Sequence, residues 1–136
     1  MKIIAKALLK SPNDRFLLLR RSGTHPYWPF HLDLPGGEVE SGEDSLVAVV
    51  REIAEETGAI VRAEEMMMAF DSTIDNKYRH ILYSSSIPQN TPITLSWEHD
   101  QYVWLTLSEM LQQTATDDID SYYKDVIDWL SSNQKL

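Results

Sequence analysis

The apolar residues of this chain follow two different spacings, and each spacing predicts one kind of secondary structure. Stretches in which apolar residues alternate with polar ones, or continue without a break, predict β-strands. These strands are predicted over residues 2–10, 15–21, 30–34, 66–70, 77–87 and 101–105. The first two are expected to pair as a hairpin, because residues 11–14 have the composition of a turn.

Apolar residues three or four positions apart predict a long helix over residues 42–57. Its apolar side is formed by Leu46, Val49, Val50 and Ile53. We expect Ser41 to cap the first turn, in a capping box completed by Asp44. Gly58 suits the left-handed position just past the end of a helix. The apolar side is expected to face the core.

Two further helices are predicted in the last third of the chain. Ser108 is expected to cap a short helix that ends near residue 113. The final helix shows helical spacing of six apolar residues, namely Ile119, Tyr122, Tyr123, Val126, Ile127 and Leu130. We favour packing of this helix on the sheet over partner binding, although a partner-binding helix has the same pattern.

The polar side of the long helix carries three glutamates, Glu52, Glu55 and Glu56. Residues at i, i+3 and i+4 share a helical face, with Cβ atoms about 5–6 Å apart. Like charges this close repel each other, so a positive group is expected in front of them. A hard divalent cation fits, because it binds carboxylate and phosphate oxygens. The alternative is an ordinary solvated acidic face.

The residues before this helix favour a site over a solvated face. Pro35, Gly36 and Gly37 follow a predicted strand. Paired glycines let the backbone turn sharply and approach a ligand closely. A strand, a glycine turn, a capped helix and aligned carboxylates together are typical of a ligand-binding site.

These residues also match a known pattern. Gly37, then Glu43 and then the run Arg51-Glu52-Ile53-Ala54-Glu55-Glu56-Thr57-Gly58 resemble the Nudix box, GX5EX7REUXEEXGU. The fixed positions agree, and Ala59 at the final aliphatic position is a mild departure. The motif spans 23 residues, and so many fixed residues at fixed spacing are highly specific.

The resemblance implies an α/β fold, a Nudix-type α/β/α sandwich with a mixed sheet. It also implies hydrolysis of a nucleoside diphosphate linked to a further group X. By the same resemblance, the ligands of Mg²⁺ or Mn²⁺ are Glu52, Glu55, Glu56 and the carbonyl of Gly37. Glu52 is also implied as a base, while Glu43 and Arg51 are expected to support the site.

Length, charge and composition narrow the class of protein. With 136 residues, the chain is expected to form a single domain over residues 1–136. A net charge of −9 disfavours binding to long nucleic acids. No apolar run approaches the ~20 residues that span a bilayer, and no signal peptide is recognisable. The absence of cysteine excludes disulfides, so a cytoplasmic location is expected.

Two arginines and two aromatic residues are candidates for substrate binding. Arg20 and Arg21 end the second strand, and arginine binds phosphate oxygens with a planar fork. Strand alternation places them on opposite faces, so at most one is expected in a cleft. Tyr27 and Trp28 lie in the following loop, where an aromatic ring stacks on a base or packs on the rim.

A late segment supplies two further candidates. Residues 97–105 are similar to the late loop and strand of Nudix enzymes that act on nucleoside triphosphates or nucleotide sugars. In some of these a loop glutamate or histidine assists the metal or serves as a base. Glu98 and His99 are therefore candidate catalytic residues, against the alternative that they are ordinary surface residues.

The sequence predicts a metal-dependent pyrophosphohydrolase, with nucleoside triphosphates or nucleotide sugars as favoured substrates. ADP-ribose and dinucleoside polyphosphates are the alternatives within the same enzyme class. A non-catalytic nucleotide-binding module on the same fold, or a purely structural acidic helix, is the alternative from another class. A homodimer is also expected from the resemblance, because family members are often dimers.

Overall fold

The computed structural model describes residues 1–74, 76–88, 90–113 and 120–133. Its strands are β1 (Lys2–Lys10), β2 (Arg15–Arg21), β3 (Leu32–Asp33), β4 (Gly36–Glu38), β5 (Met67–Ile74), β6 (Tyr78–Ser86) and β7 (His99–Thr106). Its helices are α1 (Ser45–Thr57), α2 (Leu107–Gln112) and α3 (Ser121–Ser132), with a 3-10 turn at Ala63–Glu65. Each predicted strand has a counterpart, whereas β4 lies where the sequence predicts only a turn.

The strands form one mixed sheet in the order β3-β2-β1-β6-β5, with β4 paired to β1 and β7 paired to β2. Strands β1 and β6 are parallel, and the other pairs are antiparallel. Strands β1 and β2 meet only where Lys10 lies opposite Phe16. Strand β3 pairs with β2, and strand β4 pairs with β1. The segment that joins β3 to β4 therefore crosses from β2 to β1. The Pro-Gly-Gly sequence is therefore held inside the sheet.

Helices cover both faces of this sheet. Alternate residues of a strand point to opposite faces, and β1 shows this clearly. Ala7 and Leu9 pack with Val49 of α1 in one core, while Leu8 packs with Val126 of α3 in the other. The predicted α/β/α sandwich with a mixed sheet is confirmed.

The N-terminal cap of α1 differs from the prediction. The Asp44 carboxylate accepts hydrogen bonds from the backbone N–H groups of Leu46 at 2.8 Å and Val47 at 3.4 Å. The predicted cap at Ser41 is wrong, because residues 40–43 form a separate turn with Gly42 at φ +79°. Helix α1 therefore starts three residues later than predicted.

The C-terminal end of α1 and the buried face of α3 agree with the predictions, whereas the cap of α2 does not. Gly58 ends α1 in the left-handed conformation, as predicted. Thr106 caps α2 in a capping box with Glu109, so the predicted cap at Ser108 is wrong. The buried residues of α3 are the predicted Tyr122, Tyr123, Val126, Ile127 and Leu130. Ile119 lies outside the described residues. Among the described residues, no helix combines the length and apolar character needed to cross a membrane.

Candidate active site

The glycine turn brings the end of α1 against the sheet. Gly36 has a φ of +134° and lies opposite Lys6 of β1. A Cβ atom at Gly36 would lie 2.3 Å from the carbonyl oxygen of Ala5, so only glycine fits there. The Gly36 N–H group donates a 2.8 Å hydrogen bond to Oε1 of Glu56. This bond holds a buried carboxylate of α1 directly beside β4.

A second carboxylate lies beside the next glycine. A Cβ atom at Gly37 would lie 3.1 Å from Cδ of Glu52 and 3.3 Å from both of its carboxylate oxygens. The missing side chain of Gly37 therefore makes room for this carboxylate. Glu52 and Glu56 both lie against β4, as their spacing on one helical face predicts.

Arg51 is the positive group that lies among the acidic side chains. Its guanidinium donates two hydrogen bonds to Glu43, at 2.8 and 3.0 Å, and one to Glu52 at 3.1 Å. It also donates to Glu55, at 3.2 and 3.3 Å. The bonds to Glu43 are the main reason that the pKa of Arg51 lies above its usual value. Glu55 is more than half exposed and turned towards Arg51.

Burial leaves the two inner carboxylates incompletely compensated. It raises the pKa of Glu56 well above the usual value, and the Gly36 hydrogen bond opposes this rise only in part. Burial also raises the pKa of Glu52, where Arg51 lowers it and the charge of Glu55 raises it further. A carboxylate with a raised pKa is one whose charge is poorly stabilised. A further cation near Glu52 and Glu56 would stabilise both charges.

His99 is buried next to this pair rather than exposed in a loop. It is the first residue of β7, and its side chain is 1% exposed. Its Nδ1 lies 3.7 Å from Oε2 of Glu56, and neither ring nitrogen has a hydrogen-bond partner among the described residues. Burial lowers the pKa of His99 to about 4, so the ring is neutral near pH 7. The predicted surface alternative for His99 is therefore wrong.

Glu98 is partly exposed, and it lies near enough to Glu52 for its charge to act on that carboxylate. Its charge is among the causes that raise the pKa of Glu52. The Ser22 N–H group donates a 2.9 Å hydrogen bond to its carbonyl oxygen, which fixes the backbone at this position. Oε2 of Glu98 lies 3.8 Å from Nε2 of His25. The fold thus brings the late segment of the sequence to the acidic face of α1.

The two arginines suggested for substrate binding are both engaged by the protein. Arg21 is buried and donates to Asp33 at 3.1 Å, to Asp120 at 2.8 Å and to the carbonyl of Tyr27 at 3.1 Å. This network explains Arg21 as a structural residue, and it argues against the predicted grip on phosphate. Arg20 is partly exposed and forms two 2.7 Å hydrogen bonds with Asp100.

The loop between β2 and β3 presents three aromatic side chains to solvent. Tyr27 is 67% exposed, Trp28 is 38% exposed and Phe30 is 60% exposed. Trp28 and Phe30 have φ angles of +49° and +66°, which are uncommon and costly for bulky residues. The guanidinium of Arg20 lies 5.6 Å from the centre of the Phe30 ring. Sequence reasoning missed Phe30 because it was assigned to a strand.

The donor set of this site can be tested for its fit to a divalent metal. Among the described residues, no three His, Cys, Asp or Glu side chains converge closely enough to hold a metal ion as they stand. Glu55, which Arg51 holds to one side, would have to turn inward. The oxygen donors are those that Mg²⁺ and Mn²⁺ prefer. Because Glu52 and Glu56 also lack full compensation, the residues fit a hard dication.

Comparison with known proteins identifies the class. A family model described as the NUDIX domain matches residues 2–130, so the chain belongs to the Nudix family. It is therefore a hydrolase that acts on phosphoric anhydride bonds, and dependence on a divalent metal ion is typical of that family. The sequence prediction of family and enzyme class is confirmed.

The chain is similar in sequence to two characterised kinds of hydrolase and similar in structure to a MutT protein. The chain is 34% identical to asymmetrical bis(5'-nucleosyl)-tetraphosphatase of Mus musculus over an alignment of 104 residues, and the alignment covers 71% of this chain and 67% of that protein. It is 36% identical to ADP-ribose pyrophosphatase of Methanocaldococcus jannaschii over 72 residues, which are 52% and 40% of the two chains. The crystal structure of a MutT protein from Methanosarcina mazei Go1 matches with a TM-score of 0.77 and 27% identity, covering 99% of this chain and 96% of that one.

Proposed function

We propose that this protein is a Mg²⁺- or Mn²⁺-dependent pyrophosphohydrolase of nucleoside diphosphates linked to a further group. The observation that carries this proposal is the pair of carboxylates, Glu52 and Glu56, held against the Gly36–Gly37 turn with raised pKa values. A purely structural acidic face would be solvated, whereas Glu56 is buried and Glu52 is only 18% exposed.

The proposed metal ligands are Glu52, Glu55, Glu56 and the carbonyl of Gly37. When bound, the metal would neutralise phosphate oxygens and lower the pKa of a coordinated water. Gly36 orients Glu56 through its N–H group. Arg51, which is itself held by Glu43, donates hydrogen bonds to Glu52 and Glu55.

A carboxylate that takes a proton from the attacking water must be near it and have a suitable pKa. Glu52 is the first candidate base, because burial raises its pKa and the charge of Arg51 opposes that rise. Glu98 is the second candidate base, since it is partly exposed at the same place. His99, with a pKa of about 4, is a weak base, and we assign it a catalytic role only through its contact with Glu56.

The exposed aromatic residues are proposed to bind the nucleobase. Tyr27, Trp28 and Phe30 lie on one loop, and stacking of a base on an aromatic ring contributes roughly 1–3 kcal/mol. Arg20 is proposed to contact phosphate by exchanging its bonds to Asp100 for bonds to the substrate. Its partial exposure permits that exchange, whereas burial of Arg21 prevents it.

Nucleoside triphosphates and nucleotide sugars are the substrates that the sequence favours, and this remains a prediction. Dinucleoside polyphosphates are a second candidate. They are favoured by the 34% identity to the mouse bis(5'-nucleosyl)-tetraphosphatase, which extends over most of the Nudix domain. The 36% identity to an ADP-ribose pyrophosphatase supports ADP-ribose over a shorter region.

A substrate panel with identification of the products tests this proposal. We expect the protein with Mg²⁺ or Mn²⁺ to hydrolyse at least one of ATP, UDP-glucose, ADP-ribose and diadenosine tetraphosphate. In oxygen-18 water, the labelled product identifies the phosphorus that is attacked. Glu52→Gln and Glu56→Gln are each expected to lower turnover by at least ~10²-fold, because each removes a group used in proton transfer or charge stabilisation.

Glu64→Gln is the matched control, because Glu64 lies in the exposed 3-10 turn and pairs only with Arg62 among the described residues. Rates like those of the wild type in both helix variants, at saturating metal, would refute the assigned site. Binding of nucleotides without release of phosphate, pyrophosphate or nucleotide products would support the non-catalytic module instead.

A further inference from the structure

A tight turn at the start of the aromatic loop lies against Glu98. The His25 N–H group donates a 3.1 Å hydrogen bond to the carbonyl of Ser22, which closes the turn. The N–H group of Ser22 in turn donates to the carbonyl of Glu98 at 2.9 Å. One short segment therefore fixes the backbone of Glu98 and places the His25 ring beside its side chain.

The hydrogen bonds of His25 determine which of its ring nitrogens carries a proton. The Tyr27 N–H group donates a 3.1 Å hydrogen bond to Nδ1 of His25, so Nδ1 has a free lone pair and cannot carry hydrogen. In a neutral ring the hydrogen must then be on Nε2. Burial, helped by the charge of Arg21, lowers the pKa of His25, which favours this neutral form.

The protonated nitrogen faces the Glu98 carboxylate. The distance from Nε2 of His25 to Oε2 of Glu98 is 3.8 Å, which is longer than a hydrogen bond. Hydrogen bonds of catalytic groups are often long without substrate and shorten in the reacting complex. A carboxylate accepts such a donor readily. A small rotation of the partly exposed Glu98 would close the bond.

Packing of the loop explains one of the two contacts of the His25 ring, the bond to Nδ1, but not the approach of Nε2 to Glu98. Packing of the loop requires the bond from Tyr27 to Nδ1, but it does not require the opposite nitrogen to face a carboxylate. Glu98 also directly precedes His99, whose Nδ1 lies 3.7 Å from Oε2 of Glu56, so the segment that carries Glu98 reaches the carboxylates of α1. His25 was not among the candidates from the sequence, because nothing in its spacing indicated a site.

We infer that His25 is a positioning residue whose Nε2–H group holds the Glu98 carboxylate in the orientation that it needs beside Glu52 during hydrolysis. This inference rests on the proposed function. It makes His25 act through Glu98, without contact to the substrate. It also gives the aromatic loop a second role, because the turn that precedes Tyr27 fixes a group at the reacting centre.

Two substitutions separate the two nitrogens of His25. His25→Asn keeps an acceptor near the position of Nδ1 and removes the donor that faces Glu98. His25→Gln keeps a donor near the position of Nε2. We expect His25→Asn to lower kcat roughly tenfold with little change in KM, as for other residues that orient a catalytic ligand. His25→Gln is expected to restore most of that loss.

The same substitutions in a Glu98→Gln background measure the coupling between the two residues. The probe is whichever of ATP, UDP-glucose, ADP-ribose and diadenosine tetraphosphate the wild type hydrolyses fastest, with Mg²⁺. In this background His25→Asn is expected to cause no further loss. Equal losses in both backgrounds, or an active wild type matched by His25→Asn, would overturn the role of His25 alone. A wild type inactive on all four nucleotides would instead overturn the proposed function.

A measurement without metal or substrate tests the geometry directly. Long-range ¹H–¹⁵N NMR spectra of the metal-free protein report which ring nitrogen of His25 is protonated. We expect hydrogen on Nε2 and none on Nδ1. Hydrogen on Nδ1 would refute the inference, because the ring would then have no donor to offer Glu98.

Discussion

At the scale of single residues, burial distinguishes three glutamates that look equivalent in the sequence. Glu56 is 3% exposed and accepts a backbone hydrogen bond, whereas Glu55 is more than half exposed and pairs with Arg51. Glu52 lies between these extremes, beside Gly37. The cost of burying charge is therefore concentrated on Glu56 and Glu52, which is the expected condition of groups that later share a cation.

Glu56→Gln is expected to stabilise the metal-free protein increasingly as the pH rises. Because the pKa of Glu56 is higher in the folded than in the unfolded protein, the folded state binds more protons between those two values. The wild type therefore loses stability from about pH 4.5, the usual value of the carboxyl, up to the raised value. Glutamine keeps the acceptor for Gly36 but does not titrate.

Urea unfolding of both proteins in EDTA, at a series of pH values, measures this difference. The free energy of unfolding of Glu56→Gln relative to the wild type should be smallest at acidic pH and increase towards alkaline pH. A difference that is independent of pH, or that decreases as the pH rises, would show that the charge of Glu56 is well compensated without metal.

At the scale of elements, Arg21 connects three parts of the structure. Its guanidinium bonds to Asp33 of β3, to Asp120 at the start of α3 and to the backbone of the aromatic loop at Tyr27. Lys6 of β1 pairs with the same Asp33, so the buried charges balance. The position of the loop relative to the sheet thus depends on a buried ionic network.

Arg21→Met is expected to lower the free energy of unfolding by about 3–5 kcal/mol. The substitution removes the cation that pairs with Asp120, and it leaves Asp33 with Lys6 as its remaining cationic partner. Arg20→Met is the matched control one residue away. Arg20 is partly exposed, so solvent screens its pair with Asp100 and the loss should be small. Urea unfolding compares the two variants, and equal losses would contradict a special role for the buried arginine.

The helix caps show how far local sequence determines an element. The periodicity located α1 and its C-terminal glycine correctly, because both depend on nearby residues. The N-terminal cap was assigned to Ser41 although Asp44 provides it. Both residues are good caps, and the choice depends on the turn at residues 40–43, which the strand β4 and the bonds between Glu43 and Arg51 hold in place.

At the scale of the whole molecule, a net charge of −9 is unfavourable for binding an anionic substrate. The described structure places buried acidic groups at the candidate site, with Arg51 as the cation that contacts Glu52 and Glu55 directly. Burial is the main cause that raises the pKa values of Glu52 and Glu56, and repulsion from neighbouring carboxylates raises them further. Binding of divalent metal would reverse the local potential and remove that repulsion at the same time.

Mg²⁺ or Mn²⁺ is therefore expected to raise the melting temperature of the protein. A ligand that binds only the folded state at 100 times its dissociation constant stabilises by about 2.7 kcal/mol. Thermal unfolding with MgCl₂ should show a larger increase than NaCl at equal ionic strength, and Glu52→Gln should lose most of that increase. If the two salts have equal effects on the wild type, the carboxylates do not form a metal site.

The sequence by itself determined the place of α1, most of the strands and the three glutamates on one face, because helical and strand periods are local properties of the chain. The sandwich was implied by the resemblance of the box to a known family. Only the tertiary structure decided which carboxylates are buried, that Arg21 is enclosed by Asp33 and Asp120, and that Phe30 is exposed. It also brought His25 to Glu98, 73 positions apart in the chain. These facts depend on pairing between distant strands, because burial and charge compensation are set by neighbours in space.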